Sequence, residues 1–363
     1  VNHHSTFHTS TTIRGRTRRL VLGTLATLAM VLGIAGTGPA TAAADTVIDT
    51  IDLGTSPFGV AITPDGTRAY VTTINVGKVS VIDTATNTVI DTIDVGPAPT
   101  GVAITPDGTR AYVANGDGTV SVIDTTTNTI VGVPIPVGPA PFGVAITPNG
   151  AFAYVTNNAD GTVSVINTTT NTVVGVPIPV GPNPAGVAIT PNGAFAYVTN
   201  AGDGTVSVID TATNTEIDTI PVGGSLFGVA ITPNGALAYV ANIADDTVAV
   251  IDTATDTATD AIDVGDDPFW VAITPNGKRA YVTNTADSTV SVIDTGTNTV
   301  IETVPVGDGP FGVAITPDGT RAYVANTSND TVSVIAIEGC FGSLCIDFGS
   351  LTGSGSGGGS VFS

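Results

Sequence analysis

From residue 46 onward the chain alternates short β-branched runs with small polar turns, and it does so with a fixed period. Gly59-Val60-Ala61-Ile62-Thr63-Pro64-Asp65-Gly66 recurs from Gly101, Gly143, Gly186, Gly228 and Gly312, and a seventh copy starts at Trp270. The spacing is 42 residues with one step of 43, and all seven tyrosines fall at one repeat position: Tyr70, Tyr112, Tyr154, Tyr197, Tyr239, Tyr281 and Tyr323. Each unit holds four strand signals separated by turn chemistry. In the second unit these are strand A (Gly101–Thr105), a Pro-Asp-Gly turn, strand B (Arg110–Ala114), strand C (Thr119–Ile123) and strand D (Thr129–Val137). Pro134 and Pro136 interrupt D, which places it at the sheet edge, where a missing N–H costs no ladder bond.

A four-stranded sheet with two apolar faces cannot bury both alone; sheets stacked around an axis bury them against each other. The expected fold is therefore all-β, a seven-bladed β-propeller of four-stranded blades. The seventh unit supplies A, B and C (Phe311 to Ile335) and then stops, while a D-like strand, Thr46 to Leu53, stands unassigned at the other end. Placed beside Thr331 to Ile335, it completes the last blade (3+1) and covers its open edge.

Tyr154-Val155-Thr156-Asn157, Tyr197-Val198-Thr199-Asn200 and Tyr281-Val282-Thr283-Asn284 resemble the signature of the YVTN-type β-propeller repeat family. Tyr70 departs with Val-Thr-Thr, and Tyr112, Tyr239 and Tyr323 with Val-Ala-Asn. The resemblance spans Asp45 to about Glu338. It implies an exported or cell-surface propeller of bacterial or archaeal type, surface-layer proteins included, and it implies no activity.

Composition adds a compartment. Arg14, Arg16, Arg18 and Arg19 precede the apolar run Leu20–Gly36, followed by Ala40-Thr41-Ala42 and Ala42-Ala43-Ala44 as small-residue cleavage sites. Residues 1–44 thus read as an export signal with an N-terminal extension, of either the general or the twin-arginine type. Residues 45–338 are the propeller, with no membrane span after signal cleavage. Residues 339–363 carry Cys340 and Cys345, either a disulfide closing a small loop or two thiols, and then a disordered Gly/Ser-rich tail.

Beyond the leader, six basic residues face 31 acids, which leaves −25. Such a surface disfavours nucleic acid and suits a cationic ligand or a basic patch on a protein. The B–C loops repeat an acid: Asp117, Asp160, Asp203, Asp246, Asp287 and Asp330. The D–A loops, on the same top face, add Asp266, Asp267 and Asp308. Together they form an expected acidic ring, although Asp is also a good turn residue. Trp270, the sole tryptophan, replaces a strand-A glycine beside Phe269, Asp266 and Asp267, and is a candidate binding group at the channel rim or a filler between blades.

All three histidines lie at positions 3, 4 and 8, so the body has no histidine base, nucleophile partner or metal ligand. The expectation is a non-catalytic, monomeric binding or cell-surface module without catalytic residues, metal or cofactor. Its partner would be a cell-envelope protein or carbohydrate, or a cationic ligand. A lactonase-type hydrolase using carboxylates and Ca²⁺ at the channel mouth is the alternative.

Overall fold

The computed structural model describes residues 44–341 and 344–346, without the side chains of 339–341 and 344–346. Residues 1–43 and the Gly/Ser tail lie outside the described residues, and with them nearly all of the expected leader. Seven sheets follow one another, each antiparallel in the order A-B-C-D. Blade 1, for example, comprises Pro57–Ile62, Arg68–Thr73, Lys78–Asp83 and Thr88–Asp94. In blades 2 and 3 strand D splits in two, Thr129–Ile130 with Ile135–Pro136 and Thr172–Val173 with Ile178–Pro179. The Gly-Val-Pro insert between the halves takes the backbone off the ladder and leaves Val133 and Val176 more than four-fifths exposed. Among the described residues the only helical turn is the 3₁₀ turn Ile243–Asp245, and no helix is long and apolar enough to cross a membrane.

The ring closes as expected. Thr46–Asp52 pairs antiparallel with Thr331–Ala336, from Thr46 opposite Ala336 to Asp52 opposite Thr331, and becomes strand D of blade 7. The core is divided into seven clusters, each lying between neighbouring blades. One joins Tyr70, Val79 and Val81 of blade 1 to Ala111, Val113 and Ile123 of blade 2. The cluster that joins blade 7 to blade 1 contains Ile51 of the closing strand.

The Tyr-Val-Thr-Asn phrase is a fastener, and each of its residues has a place. The tyrosine is fully buried, and its hydroxyl donates to the Asn of the next blade's C–D turn: Tyr70 to Asn128 Oδ1 at 2.7 Å, Tyr154 to Asn214 Oδ1 at 2.6 Å. Those asparagines hold φ near +54°, a left-handed conformation that Asn tolerates better than most residues. The valine is core. The threonine accepts the strand-A N–H of its own blade and donates to the strand-A carbonyl of the next, as Thr72 does to Gly59 N (2.8 Å) and Thr100 O (2.7 Å). The asparagine ties the D–A loop, Asn115 Oδ1 accepting from Gly96 N at 3.1 Å. Blade 2 has Ala114 in place of the threonine, and Thr100 supplies a substitute bridge to Phe142 O at 3.0 Å.

Tyr154→Phe removes one latch and leaves Asn214 without its donor. A loss of about 1–2 kcal/mol is expected in urea unfolding, with unchanged spectra of the folded state.

Candidate functional site

Strand A of each blade begins with a β-bulge: between Pro57 and Val60 the register to strand B shifts by one residue, and the same shift recurs in every blade. The residue inside the bulge turns toward the axis. In five blades it is phenylalanine, and the five rings meet: Phe58 lies 5.0 Å from Phe311, 5.7 Å from Phe142 and 5.8 Å from Phe269, while Phe227 lies 4.8 Å from Phe269. Thr100 and Ala185 fill the two remaining places. These rings plug the channel where its strands start. The cavity they border, lined also by Trp270, Val60, Val102 and Val144, has a volume of only ≈ 30 Å³. That is space for one or two water molecules.

Glycine follows the bulge because adjacent A strands nearly touch there. A Cβ on Gly59 would sit 2.5 Å from the carbonyl oxygen of Thr100, and one on Gly143 2.4 Å from that of Ala185. Trp270 breaks this rule. It is half-buried, stacks on Phe269 at 6.4 Å and packs against the cluster between blades 6 and 7. It thus sits one residue along strand A from the plug, lining the cavity.

The acids of the top face do not form one uniform ring. Asp117, Asp160 and Asp203 each accept a hydrogen bond from the hydroxyl of the threonine that opens strand C, at 2.7–2.8 Å, and so brace their own turns. Asp246 and Asp330 sit one position later, at the left-handed residue of the turn (φ 54° and 61°). Asp308 is exposed on the D–A loop of blade 7. Between blades 5 and 6, however, four acids converge. Asp287 Oδ2 accepts from Asp266 N at 2.9 Å, and Asp246 Oδ1 accepts from Asp267 N at 3.0 Å. The carboxylates of Asp287 and Asp246 lift the Asp266 carboxyl above its ordinary value, with Asp267 adding a smaller push. All four are exposed, so a cation from solution can reach them. No cluster of three or more acidic, Cys or His groups among the described residues has metal-ligating geometry.

Two of the bases serve as struts on the opposite face. Arg68 Nη1 donates to Thr125 O and Arg321 Nη1 to Thr84 O, each at 2.6 Å across to the next blade. Lys78 alone lies on the top face, paired with Asp94 at 2.8 Å in an exposed contact of little energetic weight.

Sequence reasoning missed Asp45. Blade 7 lacks a C–D turn of its own, so Tyr281 of blade 6 has no Asn to meet, and Asp45 takes that place. The Asp45 side chain is fully buried and also pairs with Arg279 at 3.1 Å. A signal existed: the repeat pattern demands an Asn or Asp ahead of every strand D, and Asp45-Thr46 stands where Asn87-Thr88 stands in blade 1.

Residues 225–340 match the model of the YNCE-like β-propeller family, and residues 136–264 match that of the seven-bladed β-propeller lactonases. Each match covers about a third of the chain. No curated protein sequence matches it. Solved structures match widely, in 1872 chains, so likeness at this level speaks for architecture rather than for one activity. Among them is hydrazine synthase of Kuenenia stuttgartiensis, at 25% identity with a TM-score of 0.73, covering 78% of this chain and 96% of that one. The protein is a seven-bladed β-propeller.

Proposed function

We propose that the protein is an exported, non-catalytic propeller that holds a partner against its acidic top face, centred on the carboxylates of blades 5 and 6. The phenylalanine plug carries this reading: it occupies the channel mouth where a substrate would have to enter and leaves ≈ 30 Å³ beside it. A small-molecule site at this mouth would need roughly ten times that volume; clefts of ≈ 490–500 Å³ lie elsewhere, as open hollows among the turns such as that between Asp65 and Asp107. The mutual repulsion of Asp246, Asp266, Asp267 and Asp287 is relieved by a cationic group, so the chemistry favoured is a basic segment of a cell-envelope protein.

Poly-L-lysine serves as the probe. The variant Asp246→Asn/Asp266→Asn/Asp287→Asn is expected to weaken binding at least about tenfold at low salt. A variant that loses equal charge on the outer strands, Asp91→Asn/Asp218→Asn/Asp260→Asn, is expected to bind nearly as well as the parent. Equal losses in both would show a diffuse charge effect and overturn the site.

The partial match to lactonases supports a second reading, a carboxylate site that binds Ca²⁺ and opens lactones. Calcium-dependent lactone hydrolysis abolished by Asp267→Ala would establish it over the first. The tail fits export as well: Cys340 and Cys345 are direct partners in the hairpin Gly339–Phe341/Leu344–Ile346. A disulfide between them is part of this proposal, in keeping with an oxidising compartment.

A further inference from the structure

The seventh latch differs chemically from the other six. Elsewhere one tyrosine meets one Asn, with an arginine beside it at Tyr70, Tyr112 and Tyr323, or at Tyr197 meets Asp256 with no arginine; at none of the six does a carboxylate meet a guanidinium. At the seventh, the Asp45 carboxylate accepts from Tyr281 Oη, from Arg279 Nη1 at 3.1 and 3.3 Å, and from Glu338 N at 2.8 Å. The backbone nitrogen of Asp45 in turn donates to Glu302 Oε2 at 3.1 Å, on strand D of blade 6. Glu338 is itself buried, at 7% exposure. Two carboxylates, Asp45 and Glu302, therefore share the neighbourhood of a single guanidinium. Burial lifts the Glu302 carboxyl above its ordinary value, and the nearby Asp45 carboxylate adds to the rise, while the Asp45 N–H and Arg279 offset it in part. A neutral amide is a poor counter-group for a half-buried carboxylate; an ammonium at the same atom would be a good one.

The residue before that nitrogen, Ala44, is exposed, and the sequence leading to it is Ala42-Ala43-Ala44. Small residues at the first and third positions before a bond suit an export peptidase.

We propose that the bond between Ala44 and Asp45 is the processing site, and that the α-ammonium group it releases forms an ion pair with Glu302 that locks the closing strand. Hydrolysis breaks the C–N bond, water leaves a carboxylate on Ala44, and the new amine on Asp45 takes up a proton, since its ordinary pKa is about 7.7–8.0. The choice of this site rests on the sequence reading of an export signal; the ion pair rests on the geometry. Cleavage must precede docking of Thr46–Asp52, because Asp45 is buried once the strand has paired. Processing and ring closure are thereby ordered.

The sign of the pH effect follows from the pair. The amine gains a carboxylate partner on folding, so its folded pKa rises above the unfolded value. Its contribution is complete below about pH 7.7 and is lost as pH rises through the raised value. It also fades in acid as Glu302 takes up a proton. Glu302 faces the nitrogen directly, and the Asp45 carboxylate beside it is held by Arg279, Tyr281 and the backbone N–H of Glu338.

Two measurements test the proposal. The exported protein, analysed by intact mass, is expected to begin at Asp45; a start at Ala43 or further upstream would overturn the processing site. Separately, the chain starting at a free Asp45 is compared in urea with the same chain acetylated at Asp45 and with one starting at Ala43. The free-amine chain is expected to have an unfolding constant about tenfold smaller at pH 7, a difference equivalent to a shift of about one pKa unit. That advantage should vanish above about pH 10 and in Glu302→Gln. Equal stability of the three chains, or an advantage that persists in Glu302→Gln, would overturn the ion pair.

Discussion

Asp45→Ala is expected to lower the stability of the folded protein by about 3–5 kcal/mol, the range seen when one partner of a buried ion pair is removed. The substitution leaves the Arg279 guanidinium, the Tyr281 hydroxyl and the Glu338 N–H facing a void at the point where the first and last strands of the propeller meet. Asp45→Asn keeps an acceptor for Tyr281, as the asparagines do at five other latches, and should cost clearly less. Pairing Asp45→Ala with Arg279→Leu removes the stranded charge and should recover part of the loss. Urea unfolding of the four chains closes the cycle. A double variant no more stable than Asp45→Ala alone would mean that the ion pair contributes nothing beyond the latch.

Gly143→Ala is expected to cost at least about 3 kcal/mol, at the upper end of what overpacking does. The added methyl meets the backbone carbonyl of Ala185 at 2.4 Å, and a strand carbonyl that already accepts from Thr156 Oγ1 cannot step aside as a side-chain tip can. Gly132→Ala is the comparison. Its Cβ meets nothing within 4 Å, but its φ of 69° makes any side chain strained, by about 1–2 kcal/mol. The contact with blade 6 is shifted and no looser: a Cβ on Gly228 would lie 2.9 Å from the Phe269 carbonyl, against 2.4–2.5 Å at the equivalent contacts, but only 2.7 Å from the Trp270 Cα. If Gly143→Ala melts with Gly132→Ala, the A strands are free to part and the glycine has no packing role.

The repeats were legible because each constraint recurs: a turn needs Pro-Asp-Gly, an edge tolerates proline, and a strand needs β-branched residues. The closing strand was legible by subtraction, since six strands D for seven blades left one to find. Two kinds of information were not. The phenylalanine positions could be aligned, but that five of them meet on the axis depends on bulges that turn each ring inward, and a bulge leaves no unambiguous mark in sequence. The six repeated acids looked equivalent because they align within one residue. A shift of one position changes a turn brace such as Asp160 into a left-handed residue such as Asp246. The cluster between blades 5 and 6 needs one of each, Asp287 at the first position meeting Asp266 N and Asp246 at the second meeting Asp267 N. Asp45 escaped notice because its partners lie 234 and 236 residues away.

The latches have a direction. Every tyrosine reaches forward to the blade that follows it, so any open row of blades ends with one idle hydroxyl and begins with one idle acceptor. No linear stretch, however long, can satisfy both. Two half-chains cut within a C–D turn should therefore be sticky only at opposite ends and only in one order, head to tail. Such halves are incomplete circuits, and only mixing the two restores a ring of seven.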